Sequence, residues 1–283
     1  MIISDRKDQN GFENIQQGKS TLYINRSFSC RELIQALLAG EENFRSKYNL
    51  ELIPASKFAR VYKFNAIINN SGTCLYYKRY LHRSALDFFK HIFRKSRCRR
   101  AFEATEMLCE NGFLAPVTVV IGSYKTGFLN KDDFVVTLEV ENAKMFSQWL
   151  PENKQDLTTS GLRDEHQMFT SFGNTVGQMH AKGIFHGDMR LGNVLAGKDN
   201  TSWRFIFLDN ERTRCFCRLP GRLRLKNLVQ INMCRADAVS NTARARFFKA
   251  YLQHNPDIEK SRKSWAKRVI KKTNRRLRKK GRL

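Results

Sequence analysis

The sequence predicts an α+β fold in which an antiparallel, sheet-rich first half precedes a mainly helical second half. Between residues 58 and 80, two runs rich in aromatic and aliphatic side chains flank an Asn-Asn-Ser-Gly turn at 69–72. This is the pattern of a β-hairpin. Between residues 169 and 179, by contrast, apolar side chains recur three and four positions apart, which is the spacing of one helix face. The change of period indicates two structurally different parts.

The other predicted elements follow the same two periods. The first half adds helices near 30–39, 86–93 and 101–108, and strands near 117–121 and 134–140. The second half adds short strands near 193–195 and 205–208, helices near 223–234 and 242–253, and a last helix from about 261. Glycines at 112 and 183 supply the expected helix stops.

The composition excludes a disordered protein and indicates anionic partners. The chain has 283 residues, with 51 Lys and Arg against 26 Asp and Glu, which gives a formal charge of +25. Apolar residues make up 41%, including 21 Phe, so a wholly disordered chain is excluded. The positive charge is concentrated in the segments 78–100, 212–226 and 261–283. Such segments attract nucleic acid, phosphorylated substrates or anionic lipid.

Signals for membrane insertion, secretion and structural zinc are missing. No apolar run approaches the ~18 residues of a membrane span, and the start, MIISDRKDQNG, has no secretory apolar region. The seven cysteines form no CxxC pair. This usage favours the reduced thiols of a cytosolic protein.

Two short segments contain the candidate catalytic and metal-binding residues. HGDMRLGN at 186–193 follows a predicted helix, and LDNE at 208–211 closes a predicted strand. Here the sequence resembles the catalytic core of protein-kinase-like phosphotransferases. Asp188 and Asn193 keep the spacing of the HxDxxxxN catalytic loop, and Asp209 stands where the metal-binding Asp of the DFG motif would be. A polar loop with a chance Asp and Asn is the alternative, but the strand-terminal Asp favours the kinase-like interpretation.

Phosphoryl transfer gives these residue types a physical reason. It needs an aligned acceptor hydroxyl and a divalent metal that neutralises the triphosphate. Mg²⁺ prefers oxygen ligands and keeps several waters, so one carboxylate and one amide suffice from the protein. The resemblance therefore implies Asn193 and Asp209 as metal ligands and Asp188 as the residue that accepts or orients the hydroxyl. Arg190 would neutralise charge on the transferred phosphoryl group.

The resemblance also implies a strand lysine and a helix glutamate in the first half for binding ATP. Lys78 follows an aromatic run and is the best lysine. Glu103 is the favoured glutamate, with Glu106 as the competitor. No GxGxxG precedes Lys78, so no glycine is assigned to the nucleotide. DNE replaces DFG, which leaves no Phe after Asp209 to act as a packing switch.

The resemblance extends to one family. HGDMRLGNVL and FLDNERT are similar to the bacterial lipopolysaccharide kinase family, as are YKRY at 77–80, SRCRRA at 96–101 and RFFKAYL at 246–252. Membership implies a two-lobed protein-kinase-like fold, ATP and Mg²⁺, and a Kdo or heptose acceptor of the lipopolysaccharide inner core at the cytoplasmic face of the inner membrane. The chain then divides into an N-terminal extension (1–50), an N-lobe (51–140), a C-lobe with the catalytic loop (141–258) and a basic C-terminal helix or tail (259–283).

Two basic segments begin beside candidate site residues, so a site for phosphates explains them. The tail, 261–283, has 12 bases and no acid. An anionic membrane surface is its favoured partner, with Trp265 suited to the interface. Nucleic acid is disfavoured, although an RNA- or ribosome-associated atypical kinase stays an alternative. A small-molecule kinase of the aminoglycoside or choline type is another. The oligomeric state is not predicted.

Overall fold

A computed structural model describes residues 11–28, 30–81, 95–125, 131–150, 159–200, 202–234 and 238–282. The chain divides into two compact units. The sheet unit comprises Met1–Glu103 and Pro116–Val140, and the helical unit comprises Ala104–Ala115 and Glu141–Leu283. An antiparallel sheet followed by a mainly helical part confirms the predicted α+β fold.

The sheet unit is built on seven antiparallel strands, as far as the described residues extend. Their bounds are β1 Phe12–Gln17, β2 Ser20–Asn25, β3 Glu51–Ile53, β4 Ala59–Ile68, β5 Ser71–Tyr80, β6 Thr118–Lys125 and β7 Lys131–Leu138. They pair in the order β1-β2-β6-β7-β5-β4-β3. The hairpin predicted from residues 58–80 is therefore β4 and β5.

A two-residue turn sets the register of that hairpin. Asn69 and Asn70 both have positive φ angles, 50° and 63°, which is the backbone of a type I′ turn. Asn tolerates this left-handed region better than most residues with a side chain. The register aligns Val61 with Lys78, and β7 on the other side places Val135 beside the same lysine.

The segment expected to flank the first lobe, 1–50, contributes directly to the sheet unit. Besides β1 and β2 it contains two helices, α1 (Arg31–Leu38) and α2 (Glu41–Lys47). Phe44 of α2 is fully buried. Its ring centroid lies 5.2 Å from that of Phe64 and 4.8 Å from that of Tyr77, so α2 covers one face of the β4–β5 hairpin.

Part of the basic segment 78–100 serves the fold rather than a phosphate. Arg79 makes ion pairs with Glu41 at 2.6 Å and Asp132 at 2.7 Å. Arg97 is buried and donates hydrogen bonds to two backbone carbonyls. The expectation that a phosphate site explains this whole segment is therefore too broad. The helical pattern at 86–93 lies outside the described residues.

The helical unit contains most of the helices. In chain order they are α3 Arg97–Glu110, which begins in the sheet unit, then α4 Thr159–Ala181, α5 Gly221–Ile231, α6 Asn241–Gln253, α7 Pro256–Glu259 and α8 Arg262–Arg278. Its short strands are β8 Ala143–Met145, β9 Ile184–Phe185, β10 Val194–Asp199, β11 Ser202–Phe207 and β12 Arg214–Cys215. The β10–β11 hairpin pairs with β8, and β9 pairs with β12.

Two glycines let α4 and α6 approach closely. A Cβ atom on Gly173 would lie 2.3 Å from the carbonyl oxygen of Phe247, and one on Gly177 would lie 3.0 Å from that of Tyr251. Phe169, Phe172, Val176 and Met179, the predicted helix face, are all buried in the core of this unit. The α4–α6 pair therefore forms part of the core of the helical unit.

The basic tail packs on the helical unit as α8. Trp265, Thr273 and Leu277 are buried, and Oγ1 of Thr273 accepts a hydrogen bond from Nδ2 of Asn232 at 3.1 Å. The expectation that Trp265 sits at a membrane interface is wrong, because a core contact uses the same apolar side of the helix. The face of α8 that meets solvent is almost entirely cationic.

Candidate active site

His186 anchors the catalytic loop directly after β9. Its ring is fully buried, and its Nε2 lies 3.1 Å from both the carbonyl of Leu208 and Oδ1 of Asn210. Its Nδ1 accepts a hydrogen bond from the backbone N–H of Asp188, so the proton is on Nε2. Burial lowers the pKa of His186. This residue therefore positions the loop as a neutral imidazole.

Asn210, in the LDNE segment, is the side-chain partner of His186. Its Nδ2 donates to Oγ1 of Thr105 on α3 and to the carbonyl of Phe207, both at 3.1 Å. Because its Oδ1 lies 3.1 Å from Nε2 of His186, all three polar contacts are made inside the protein. The residue that replaces the Phe of DFG is thus held by hydrogen bonds rather than by apolar packing.

The two carboxylate oxygens of Asp188 have different surroundings, since the contacts with Gln230 and Arg190 are made by only one of them. Oδ1 accepts a hydrogen bond from Nε2 of Gln230 at 2.9 Å and lies 3.0 Å from Nε of Arg190. Within the described residues, both contacts fall on Oδ1. The side chain is 27% exposed. Oδ2 is therefore the oxygen that can meet a substrate hydroxyl.

Asn193 and Asp209 lie at the same end of the β10–β11 hairpin. The strands align Val194 with Phe207, and the N–H of Leu208 donates to the carbonyl of Asn193 at 2.9 Å. Nδ2 of Asn193 donates to the carbonyl of Asp188 at 2.9 Å, which turns its Oδ1 away from that carbonyl. Asn193 and Asp209 thus lie at adjacent strand ends, where the resemblance expects the metal ligands.

The chemistry of this donor set fits Mg²⁺. Mg²⁺ in kinase sites is held by one or two protein oxygens together with phosphates and waters. Within the described residues, no cluster of three or more His, Cys, Asp or Glu side chains could enclose a metal ion. Asp209 is exposed and has a left-handed backbone, φ 56° and ψ 49°. Residues held in such conformations concentrate at functional sites.

A buried polar network behind the loop was not found from the sequence. Asn227 on α5 donates from Nδ2 to the carbonyl of His186 at 2.7 Å and to Oε1 of Gln230 at 3.0 Å. Its Oδ1 lies 3.1 Å from Nε2 of His180, whose Nδ1 contacts the hydroxyl of Tyr251 at 2.9 Å. The network ends at Asp188 through Gln230. No spacing in the sequence links these residues, because α4, α5 and α6 bring them together only on folding.

The two residues expected to bind ATP lie in the sheet unit. Lys78 is in β5, between β4 and β7, and its Nζ is 5.2 Å from the ring centroid of Tyr80. Burial opposes ionisation of Glu103, but hydrogen bonds from Lys95 and Arg99 outweigh it and lower its pKa. Burial and then Glu110 raise the pKa of Glu106. Which glutamate pairs with Lys78 stays a prediction.

The two buried histidines predict that the protein loses stability on mild acidification. Burial lowers the pKa of His180 to about 3 and also lowers that of His186. Below pH ~6.5 the unfolded chain binds protons at both positions that the folded protein does not bind. The free energy of unfolding should therefore fall by up to about 1.4 kcal/mol per pH unit for His180 between pH ~6.5 and the folded-state pKa of about 3, and His186 should add to this decrease. Urea denaturation at pH 7.5, 6.5 and 5.5 measures this.

His180→Gln should reduce that slope, whereas His166→Gln, on the same helix, should leave it unchanged. If the wild-type free energy of unfolding were constant between pH 7.5 and 5.5, the neutral-imidazole assignment would be wrong. The wild-type slope alone decides the matter if His180→Gln does not fold.

Comparison with known proteins identifies the fold. A solved structure described as WaaP in complex with acyl carrier protein matches with a TM-score of 0.59 and 16% sequence identity, over 88% of this chain and 98% of that one. At that identity, the match speaks for the fold. No protein with a curated description matches the sequence significantly.

The fold is that of a kinase-like phosphotransferase, as the sequence motifs predict. The sequence model of the lipopolysaccharide kinase (Kdo/WaaP) family matches residues 56–251. The chain therefore belongs to the lipopolysaccharide kinase (Kdo/WaaP) family, which confirms the resemblance seen in its motifs.

Proposed function

We propose that this protein transfers the γ-phosphate of ATP to a hydroxyl group of a Kdo or heptose sugar of the lipopolysaccharide inner core. The observation that carries the proposal is that a family member holds the backbones of Asp188, Asn193 and Asp209 as neighbours within one unit. Membership in this family favours a lipopolysaccharide acceptor over an aminoglycoside or choline. The identity of the sugar is part of the proposal.

Each residue of the catalytic loop has a distinct role in this reaction. Oδ2 of Asp188 accepts the proton of the acceptor hydroxyl as the oxygen attacks the γ-phosphorus and the bond from that phosphorus to ADP breaks, while Gln230 holds Oδ1. The side chains of Asn193 and Asp209 hold Mg²⁺. When bound, the metal neutralises charge on the triphosphate. Arg190, whose side chain is 59% exposed, can leave Asp188 to contact the transferred phosphoryl group.

The sheet unit is proposed to bind the nucleotide. Lys78 supplies a cation for the phosphates, and Glu103 or Glu106 orients it. Because the carboxylate of Glu103 contacts Lys95 and Arg99, pairing with Lys78 would require it to exchange partners. Glu106, the competitor, belongs to the helical unit, and burial and then Glu110 raise its pKa.

The basic face of α8 is proposed to hold the protein on the cytoplasmic face of the inner membrane. No helix within the described part of the chain is both long and apolar enough to cross a bilayer. With Trp265 buried, the attraction is electrostatic, at ~1 kcal/mol per base near an anionic surface. The proposed acceptor is itself part of an acidic lipid surface. One partner would therefore account for both the basic helix and the substrate, which favours lipid over RNA.

An acyl carrier protein is a second candidate partner, since the WaaP structure of the same fold was solved with one. A cavity of about 520 Å³ lies between α4, α5, α6 and α8. Leu228, Ile231, Phe247 and Val269 are among the apolar side chains that line it. An acyl chain has the chemistry to fill such a cavity.

Acceptor-dependent turnover tests the proposed function. The purified full chain, with ATP, Mg²⁺ and inner-core lipid in anionic vesicles, should release ADP only when the acceptor is present. Mass spectrometry should find one added phosphate on the sugar. The same lipid without its inner-core sugars is the control. A soluble amino sugar or choline that outperforms the lipid would contradict the proposal, and so would ADP release that RNA, rather than the lipid, stimulates.

A further inference from the structure

Four buried side chains of the helical unit form a row of hydrogen bonds that ends on Asp188, and the proposed reaction uses only the last of them. They are Tyr251 of α6, His180 of α4, and Asn227 and Gln230 of α5, here termed the donor chain. Successive members lie 2.9 to 3.1 Å apart. Each is at most 7% exposed, so their polar atoms need partners inside the protein.

A backbone carbonyl fixes the direction of these hydrogen bonds. The carbonyl of His186 can only accept, and it lies 2.7 Å from the side-chain amide of Asn227. The atom that faces it is therefore the donor Nδ2. The second hydrogen of Nδ2 goes to Oε1 of Gln230 at 3.0 Å. Gln230 thus accepts through Oε1, and the atom that it turns to Oδ1 of Asp188 is the donor Nε2, at 2.9 Å.

The same reasoning assigns the other half of the donor chain. Oδ1 of Asn227 is an acceptor, so Nε2 of His180, 3.1 Å away, has to carry a proton. Burial lowers the pKa of His180 to about 3, so near pH 7 the ring is neutral and its Nδ1 carries no proton. The hydroxyl of Tyr251, 2.9 Å from Nδ1, therefore donates to it. Every hydrogen bond in the row is donated in the direction of Asp188.

A row with one direction resists rearrangement at any one member. If the amide of Gln230 turned over, its Nε2 would face the donor Nδ2 of Asn227, and its Oε1 would face the carboxylate of Asp188. Both contacts would then be mismatched, one donor against donor and the other acceptor against acceptor, which is unfavourable for buried groups. Hydrogen bonds aligned in one direction also polarise and strengthen one another. Gln230 therefore keeps its N–H on Oδ1 of Asp188.

We propose that Gln230 is a positioning residue for Asp188, and that the direction of the donor chain keeps it in that role. The inference rests on the proposed function, in which Arg190 moves to the transferred phosphoryl group. Arg190 is the other contact of Oδ1 within the described residues, so during transfer Gln230 is the group that holds this oxygen there. Tyr251, on α6, thereby affects catalysis without touching the substrate.

Gln230→Met tests the role of the donated hydrogen bond, because methionine has a similar length and no N–H. The turnover number with the inner-core lipid should fall about 10²-fold, the cost of a misplaced catalytic group, and the KM for ATP should stay within about twofold. Added to Asp188→Asn, the same change should cost less than about twofold, since Gln230 acts through the carboxylate. Damage to the fold would instead lower the rate equally in both backgrounds.

Thr273→Val is the matched control. It removes another buried hydrogen bond of the helical unit, the one that Thr273 accepts from Asn232 directly after α5. This contact does not belong to the donor chain, so the turnover number should match that of the wild type.

Nitrogen NMR of the imidazole rings tests the direction of the row without turnover. With the signals assigned by comparison with His180→Gln, the wild type should carry the proton of His180 on Nε2. Tyr251→Phe should shift the Nδ1 resonance, because that nitrogen loses its donor. The same variant should lower the turnover number by about two- to tenfold, the loss expected for one hydrogen bond.

The outcomes separate this inference from the proposed function. If the wild type released no ADP with the inner-core lipid, the proposed function would fail, and crystal structures would decide the positioning. Asp188 should then have one rotamer in the wild type and lose it in Gln230→Met. An unchanged Asp188 rotamer or full turnover in that variant, equal losses in both backgrounds, or a proton on Nδ1 of His180 would each overturn the inference. If Gln230→Met does not fold, the tautomer of His180 and the Tyr251→Phe variant decide it.

Discussion

Asp188→Asn should lower the turnover number for phosphate transfer by about 10²- to 10⁴-fold, the range for loss of a general base. The amide keeps the shape of the carboxylate and can still accept the hydrogen bond from Gln230, so the loop should stay in place. What is lost is the ability of Oδ2 to take the proton of the acceptor hydroxyl. Initial rates of ADP release with the inner-core lipid acceptor measure the effect, and the KM for ATP should stay within about twofold because the nucleotide contacts other residues.

Asp199→Asn is the matched control for this prediction. Asp199 is also a carboxylate of the helical unit paired with an arginine, Arg204, at 3.1 Å. It lies at the turn end of the β10–β11 hairpin, the end opposite the candidate active site, so its loss should leave turnover unchanged. If Asp188→Asn kept more than about a tenth of the wild-type rate, the role of general base would have to be withdrawn.

Asp209→Asn should have the other large effect and abolish Mg²⁺-dependent turnover. Removing a metal-binding carboxylate costs several kcal/mol of transition-state stabilisation, which corresponds to about 10³-fold or more in rate. Unlike Ala, Asn is at ease in a left-handed backbone, so the free energy of unfolding should be almost unchanged. This variant therefore separates loss of metal binding from loss of structure.

Two measurements check the prediction for Asp209. Mn²⁺, used as a paramagnetic substitute for Mg²⁺, should bind the wild-type protein with ATP and bind Asp209→Asn at least tenfold more weakly. Asp164→Asn removes a carboxylate that pairs with Lys198 at 2.8 Å, and it should match the wild type in both metal binding and rate. Full turnover by Asp209→Asn at low Mg²⁺ would show that other residues hold the metal.

Local patterns explain why much of the catalytic loop could be predicted. Asp188, Asn193 and Asp209 are close in sequence, and their separations reflect a loop, a short hairpin and nothing more. The strands β4 and β5 were predicted for the same reason, because two asparagines in sequence are enough to form their turn. In both cases the information lies within about 25 consecutive residues, the scale at which turn chemistry and periodicity act.

The missed features depend on contacts between distant segments. Strand β1 buries only Phe12 fully, so its sequence lacks the alternation that marks a strand, and backbone pairing with β2 holds it. Asn227 and Gln230 look like polar residues on a helix until α5 packs behind the loop. Trp265 was assigned to a membrane interface because an amphipathic helix has the same pattern whether its apolar side meets lipid or a protein core.

The hydrogen bonds of Asn210 have a consequence for regulation. In kinases with DFG, the Phe after the metal-binding Asp can pack in alternative places, and its position distinguishes active from inactive forms. Here Asn210 contacts Thr105, Phe207 and His186 at once, and moving it would leave several buried polar groups without partners. We expect an enzyme that is assembled for catalysis as soon as it folds. Control over its output would then act on the amount of protein made and on the delivery of acceptor, since these hydrogen bonds hold Asn210 in one position.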